Sequence, residues 1–245
     1  PDTTDDQAET IIQNASKEAL KNNMPYAIVV QKDSFSEYKI KNDNISDFNI
    51  FREEAIKTII SNLDDNDIII STTGVASREL FEYREELKHG HHRDFLTVGG
   101  MGHASQIALG IALQRPKRKV ICLDGDGAVL MHMGSLAING NVDCNNFRHI
   151  MLNNGVHDSV GGQPTVGHEI DFQSIAKACK YDLILHAETC DEIIKCMKDF
   201  NMFEGKVFLE IKLKKGFRKN LGRPTVKPKK NKENLMKFIK DIHHD

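Results

Sequence analysis

Short runs of apolar residues, many of them β-branched, recur from residue 51 onward, and most are followed by a segment with helical spacing. These runs have the length of strands, and they lack the alternating polar residues of a sheet with one solvated face. We expect strands at 68–72, 95–98, 120–123, 147–152, 183–186 and 207–213, and helices at 77–87, 103–114, 128–139, 171–179, 191–200 and 232–243. The pattern predicts an α/β fold: a parallel sheet with helices on both faces.

The first fifty residues differ in pattern from the rest of the chain. Residues 7–21 have the spacing of a polar amphipathic helix, and 25–30 that of a short strand. We therefore predict that residues 1–31 are the end of a preceding domain. Residues 32–50, rich in Asp, Asn, Ser and Lys, are predicted to be a linker, and 51–245 the main domain.

Charge and cysteine usage argue against several environments and partners. Lys plus Arg number 33 against 35 for Asp plus Glu, so no bulk field favours nucleic acid or an anionic membrane as a partner. The apolar runs are too short to span a membrane. The five cysteines include no C-x-x-C pair, which favours a reducing, cytoplasmic environment.

Gly125-Asp126-Gly127 follows directly after a predicted buried strand. Ligands of parallel α/β sheets bind beyond the carboxyl ends of the strands, where glycine lets the backbone approach closely. The free N–H groups of Gly127 and Ala128 at the start of the next helix suit a diphosphate. An aspartate beside an anion would be repelled unless a divalent cation lay between them.

The next strand ends in Asn153-Asn154. Since neighbouring parallel strands bring their carboxyl ends together, the Asp126 carboxylate, the Asn154 side-chain oxygen and the Val156 carbonyl are predicted metal ligands. With two diphosphate oxygens and one water they would complete an octahedron suited to Mg²⁺. The competing interpretation is a sharp strand–helix turn without a ligand.

A G-D-G followed by 25 residues and then N-N resembles the thiamine-diphosphate binding motif. Longer strings, at 72–82, 93–99, 153–165 and 220–224, resemble the phosphonopyruvate decarboxylases, a family of thiamine-diphosphate-dependent decarboxylases. The resemblance implies the diphosphate domain of the thiamine-diphosphate-binding fold, with thiamine diphosphate and Mg²⁺ as cofactors. It further implies a carboxy-lyase that converts 3-phosphonopyruvate to phosphonoacetaldehyde and CO₂.

The same resemblance assigns roles to the segment around Met101. Met101 would support the cofactor in its bent shape, and the Gly99 carbonyl would accept a hydrogen bond from the aminopyrimidine. Gly102 and His103, together with Thr73 and Gly74, would also contact the cofactor. The competing interpretations are a methionine packed in the core at a glycine turn, and a dinucleotide loop whose fingerprint is incomplete here.

The loop after Asn154 suits a dianionic substrate. Its side chains include hydrogen-bond donors at His157, Ser159, Gln163 and Thr165, and we hypothesise that some of them hold the phosphonate or the carboxylate. His157 is also a catalytic candidate. The alternative is an ordinary polar loop that covers the end of the sheet.

Three arginines are weaker candidates for the same role. Arg78 begins a predicted helix at the carboxyl end of a strand and is a modest substrate candidate. Arg218 and Arg223 could reach the phosphonate, yet the Lys- and Arg-rich segment 212–230 is more typical of a solvated face.

The resemblance also implies a partner. In this family a glutamate on a pyrimidine-binding domain protonates the cofactor, and residues 1–31 are too few to be that domain. The chain is therefore expected to be a fragment or one subunit, completed by a pyrimidine-binding domain or subunit in a homo-oligomer. The alternatives are a sulfopyruvate decarboxylase and a non-catalytic Mg²⁺–diphosphate binding module.

Overall fold

The computed structural model describes residues 4–31, 34–35 and 47–241. The contacts of the chain divide it into two units, residues 1–43 and 44–245. The predicted linker at 32–50 lies largely outside the described residues. The assignment of 1–31 to a preceding domain stays a prediction.

In the first unit, helix α1 (Asp5–Asn22) begins with a capping box. The Thr4 side chain accepts from the backbone N–H of Gln7, and the Gln7 side chain accepts from the Thr4 N–H, which satisfies two donors at the start of the helix. Residues 25–30 are exposed and form no strand. The predicted strand was therefore wrong, because the described part of this unit offers it no neighbouring strand with which to form hydrogen bonds.

The second unit is built on a parallel sheet of six strands in the order β2-β1-β3-β4-β8-β7. Its strands are β1 (Ile68–Ser71), β2 (Asp94–Leu96), β3 (Val120–Gly125), β4 (Phe147–Asn153), β7 (Leu183–Ala187) and β8 (Val207–Lys212). A small antiparallel pair, β5 (Val156–His157) and β6 (Gln163–Pro164), lies in the loop after β4. All six predicted strands are present, and the predicted α/β class is confirmed.

Helices cover both faces of this sheet. They are α2 (Arg52–Ile60), α3 (Val75–Leu87), α4 (Ala104–Gln114), α5 (Asp126–Met131), α6 (Gly134–Asn141), α7 (Phe172–Ala178), α8 (Cys190–Met202) and α9 (Pro228–Asp241). Among the described residues, no helix is long and apolar enough to cross a membrane.

Successive strand residues face opposite helical layers. In β1, Ile69 packs into a core formed with α2, α3 and α8, whereas Ile68 and Ile70 pack into a second core formed with α4, α6, α7 and α9. A sheet buried on both faces requires apolar residues at consecutive positions, which is the pattern visible in the sequence.

One predicted helix is divided in the structure. The segment predicted as a single helix at 128–139 forms α5 and α6, with a break at His132 and Met133. A Cβ on Gly102 would lie 2.5 Å from the His132 ring, so this ring is packed against the glycine turn before α4. The break lets α5 end beside the loop that contains Met101.

Candidate active site

A cavity of about 210 Å³ lies at the carboxyl ends of β1, β3 and β4. The connections after these strands contain Thr73, Asp126 and His157, so strand order alone brings together residues far apart in the sequence. Ten predicted site residues line the cavity: Thr73, Gly74, Met101, Gly125, Asp126, Gly127, Ala128, Val156, His157 and Ser159.

Asp126 begins α5, and its side chain is almost completely buried. Its carboxylate accepts hydrogen bonds from the Thr165 hydroxyl and from the Asn154 backbone N–H. Burial raises the pKa of Asp126 above its usual value, and these hydrogen bonds oppose the shift. No Lys or Arg among the described residues forms an ion pair with it, so a divalent cation in the cavity would supply the missing positive charge.

Asn154 is oriented by a neighbouring carboxylate. Its Nδ2 donates to Asp158 Oδ2 at 2.7 Å, which turns the side-chain oxygen away from that carboxylate. This oxygen accepts from the Val156 N–H at 3.4 Å and keeps a second lone pair with which it could bind a metal. Asp158 in turn accepts from Arg52 Nη1 at 3.0 Å, and Arg52 Nε donates to Glu79 Oε2 at 2.8 Å. The buried ion-pair network Arg52–Glu79–Asp158 thus stabilises one predicted metal ligand.

Sequence reasoning missed this network. Its members are separated in the sequence by 27 and 106 residues, so no local pattern connects them. Burial and the neighbouring positive charge have opposite effects on the pKa of Glu79. Burial raises the pKa of Glu79, and the nearby guanidinium of Arg52 partly offsets that increase.

Asn153 lies beneath the predicted metal site and is fully buried. Its Nδ2 donates to the Gly167 carbonyl at 2.7 Å and to Glu210 Oε1 at 2.8 Å, whereas its Oδ1 has no partner among the described atoms. A Cβ on Gly167 would lie 2.5 Å from Asp126 Oδ2 and 2.6 Å from Asn153 Oδ1. Only glycine lets the loop approach both side chains so closely.

Two more glycines permit close contacts inside the cavity. A Cβ on Gly127 would lie 2.3 Å from Cε1 of His157, and one on Gly74 would lie 2.3 Å from the hydroxyl of Ser159. Any larger residue at either position would displace one of the two polar side chains. The Ser159 hydroxyl also accepts from the Val75 backbone N–H at 3.1 Å.

The glycine turn before α4 holds Met101 at the cavity. Gly99, Gly100 and Gly102 all have positive φ, of +71°, +54° and +84°, which glycine adopts without strain. The Gly99 N–H donates to Thr73 Oγ1 at 3.3 Å, which connects this turn to the end of β1. A Cβ on Gly102 would lie 2.7 Å from the Ala128 carbonyl, so the turn also packs against α5.

Three predicted site residues have other contacts. Thr165 donates to Asp126 and accepts from the Gly167 N–H at 3.0 Å, so it supports the predicted metal ligand and does not line the cavity. Gln163 is exposed on β6, and His103 is exposed with Nδ1 3.1 Å from the Gly100 carbonyl. Neither lines the cavity, and the proposed contacts of Gln163 and Thr165 with substrate have no support from this arrangement.

The sequence of the chain matches a known protein family. A model of the family described as "Thiamine pyrophosphate enzyme, C-terminal TPP binding domain" matches residues 72–211. This range contains the G-D-G and N-N segments, Met101 and the loop after Asn154, whereas the candidate substrate residues Arg218 and Arg223 lie beyond it.

Curated relatives fall into two groups. A protein of Streptomyces viridochromogenes named phosphonopyruvate decarboxylase is 35% identical over 188 residues, which cover 77% of this chain and 46% of that protein. Sulfopyruvate decarboxylase subunit beta of Methanocaldococcus jannaschii is 36% identical over 149 residues, 60% of this chain and 76% of that protein. The same subunit of Methanothermobacter thermautotrophicus is 31% identical over 191 residues, 78% of this chain and 95% of that protein. The chain spans about half the length of the phosphonopyruvate decarboxylases that it matches.

Proposed function

Because the chain belongs to the thiamine pyrophosphate enzymes and contains their C-terminal cofactor-binding domain, we propose that it is part of a 3-phosphonopyruvate decarboxylase. The products would be phosphonoacetaldehyde and CO₂. One observation carries the proposal: Asp126, Met101 and the loop residues His157 and Ser159 surround a single cavity at the carboxyl edge of the sheet.

Residues that line this cavity, together with Asn154, which is hydrogen-bonded to the lining residues Asp126 and Asp158, fit the cofactor and its metal. Asp126, the Asn154 side-chain oxygen and the Val156 carbonyl would hold Mg²⁺, and the backbone N–H groups of Gly127 and Ala128 would bind the diphosphate. When bound, thiamine diphosphate supplies an electron-accepting ring that makes loss of CO₂ from a 2-oxo acid possible. The protein contributes binding, orientation and a half-buried apolar side chain, Met101, against which the cofactor can bend.

The proposal includes a pyrimidine-binding partner. The relatives from Methanocaldococcus and Methanothermobacter are named as beta subunits, which supports a second subunit or domain for this chain as well. We propose that turnover requires this pyrimidine-binding domain or subunit and occurs in an oligomer in the cytoplasm, within phosphonate biosynthesis. The substrate is a small 2-oxo acid.

The direct test is ³¹P NMR of phosphonopyruvate mixed with the full-length protein, any separate pyrimidine-binding subunit, thiamine diphosphate and Mg²⁺. We expect the phosphonoacetaldehyde resonance to appear only when the cofactor is present. Consumption of sulfopyruvate without turnover of phosphonopyruvate would contradict the phosphonate assignment. Consumption of neither substrate would support a non-catalytic Mg²⁺–diphosphate module.

Sulfopyruvate decarboxylation is the second candidate function, favoured by the match over 95% of the Methanothermobacter beta subunit. The ratio of kcat/KM for phosphonopyruvate and sulfopyruvate distinguishes the two functions. A non-catalytic module is less well supported, because a site that only binds an anion has no use for the apolar Met101 side chain in its wall.

Met101→Ala tests the predicted support for the bent cofactor. We expect binding of the diphosphate to persist, since Met101 offers it no polar contact, while exchange of the C2 hydrogen of the bound cofactor slows about tenfold or more. The measurement is H/D exchange at C2, followed by NMR of the quenched cofactor. The matched control is Met101→Leu, which keeps an apolar side chain of similar volume and should exchange near the parent rate. An unaltered exchange rate in Met101→Ala would refute the role.

A further inference from the structure

A second cavity, of about 320 Å³, adjoins the candidate active site and shares Thr73, Gly74 and Ser159 with it. Its other walls come from α3, from residues 96–98 at the end of β2, and from residues 223–231 near the start of α9. The cavity therefore lies beside Gly99, the residue predicted to accept from the aminopyrimidine. A substrate that reacts at the cofactor could extend into it.

This second cavity contains two guanidinium groups and no carboxylate among its described lining residues. The guanidinium groups belong to Arg78 on α3 and to Arg223 in the segment before α9. Burial and the nearby charge of Arg223 lower the pKa of Arg78 from its usual value. An anion placed between the two side chains would relieve this repulsion.

The segment that contains Arg223 is held against α3 by two side chains of that helix, which lie one turn apart. Arg78 Nε donates to the Gly222 carbonyl at 2.6 Å, and Arg78 also donates to the Leu221 carbonyl. Glu82, four residues later on α3, accepts from the Gly222 N–H. Arg223 is thus attached directly to a backbone that is hydrogen-bonded in both directions.

The hydrogen-bond donors of this cavity are only partly used. Arg78 contributes two of its five N–H groups to the backbone carbonyls, and Arg223, although exposed, has no hydrogen bond or ion pair among the described residues. Thr73 and Ser159 accept from the backbone through their hydroxyl oxygens, so each hydroxyl keeps its own proton to donate. These groups can satisfy several oxygens of a tetrahedral anion.

Arg218 differs from the other two arginines. It donates to Glu53 at 3.0 Å and forms a second ion pair with Glu82, so its charge is already compensated. It does not line this cavity. Of the three arginines that the sequence suggested as candidates, Arg78 and Arg223 line this cavity and Arg218 does not.

We infer that Arg78 and Arg223 form the subsite for the anionic end of the substrate, a tetrahedral phosphonate, with Thr73 and Ser159 as additional donors. The inference rests on the proposed function and deepens it, because it explains how a 2-oxo acid with a charged tail is selected over one with an apolar tail. Two guanidinium groups, which carry two positive charges, match a phosphonate dianion better than a sulfonate, which carries a single negative charge.

Binding can be measured without turnover. The probe is 3-phosphonopropionate, which has the carboxylate and phosphonate of the substrate but no 2-oxo group, titrated by ³¹P NMR into the full-length protein loaded with thiamine diphosphate and Mg²⁺. We expect Arg223→Gln to raise the Kd about tenfold or more, since one charge-assisted contact to the anion is lost. Arg223 is exposed and has no hydrogen bond or ion pair with the described residues, so the variant should remain folded.

The matched control is Lys219→Gln, which removes one positive charge from the same segment at an exposed position outside the cavity. Its Kd should stay within about twofold of the parent value, because screened surface charges at a distance contribute little. An unchanged Kd in Arg223→Gln would overturn the inference. An equal loss in both variants would also overturn it, since the attraction would then come from the general charge of the segment.

Two further measurements separate this inference from the proposed function. If phosphonopyruvate is decarboxylated but Arg223→Gln keeps the parent Kd and KM, the function stands and the subsite is refuted. If no 2-oxo acid is consumed but Arg223→Gln weakens probe binding selectively, the anion subsite stands and the decarboxylase proposal fails. Tighter binding of 3-sulfopropionate than of 3-phosphonopropionate would overturn the phosphonate assignment.

Discussion

Asp126→Ala is expected to abolish Mg²⁺-dependent binding of thiamine diphosphate, with a loss of affinity of about 100-fold or more. Even residues that only hydrogen-bond to a metal ligand contribute about tenfold or more to metal affinity, and Asp126 is itself a predicted ligand. The carboxylate is the only charged side chain among the three predicted ligands, and the other two are neutral oxygens. Isothermal titration calorimetry of the cofactor with and without Mg²⁺ gives the measurement. Equal Mg²⁺-dependent affinity in variant and parent would refute the metal assignment.

Removing the charge of Asp126 while keeping the shape of its side chain should not destabilise the cofactor-free protein. The hydrogen bonds of the buried Asp126 carboxylate and the nearby charge of His168 only partly offset its desolvation, and no Lys or Arg among the described residues forms an ion pair with it. We expect Asp126→Asn, which keeps the shape of the side chain, to raise the free energy of unfolding by about 1 kcal/mol while still preventing cofactor binding. Asp143→Asn, at an exposed position in the connection between β3 and β4, is the control and should change neither quantity.

The sheet could be predicted because its physical cause is local. A strand buried on both faces needs apolar residues at consecutive positions, and Ile68–Ser71 and Val120–Gly125 have them. The proximity of Asp126 and Asn154 followed from the same reasoning, since β3 and β4 are adjacent parallel strands; the metal site at this edge stays a prediction. Both steps use information contained within a few residues of each element.

The parts that could not be predicted depend on distant contacts. Thr165 was expected to contact substrate, but its hydroxyl donates to Asp126, 39 residues earlier in the sequence. Arg78, which lines the second cavity, donates to the carbonyl of Gly222, 144 residues later in the sequence. A donor on a loop has many possible acceptors, and the folded chain alone determines which of them lies within hydrogen-bond distance.

The buried ion pair between Arg84 and Asp94 gives the largest expected effect on stability. Arg84 Nε and Nη2 donate to the two Asp94 oxygens at 2.8 and 3.0 Å, and both side chains are at most 1% exposed. Arg84→Met would leave the Asp94 carboxylate buried without its cation, and we expect a loss of about 3–5 kcal/mol in the free energy of unfolding. Urea denaturation of the cofactor-free protein measures it.

Two companion variants decide whether the loss comes from the unpaired charge. Lys57→Met breaks an exposed pair, with Nζ 3.2 Å from Glu86, and should cost about 1 kcal/mol or less. The double variant Arg84→Met/Asp94→Leu removes both charges and should recover part of the stability, because two apolar side chains tolerate burial. If the double variant is no more stable than Arg84→Met, the pair stabilises the protein through packing of α3 against β2 and not through charge compensation. In that case, loss of the pair should also weaken cofactor binding, because β2 leads directly into the Gly99 segment. Lys57→Met should leave cofactor binding unchanged.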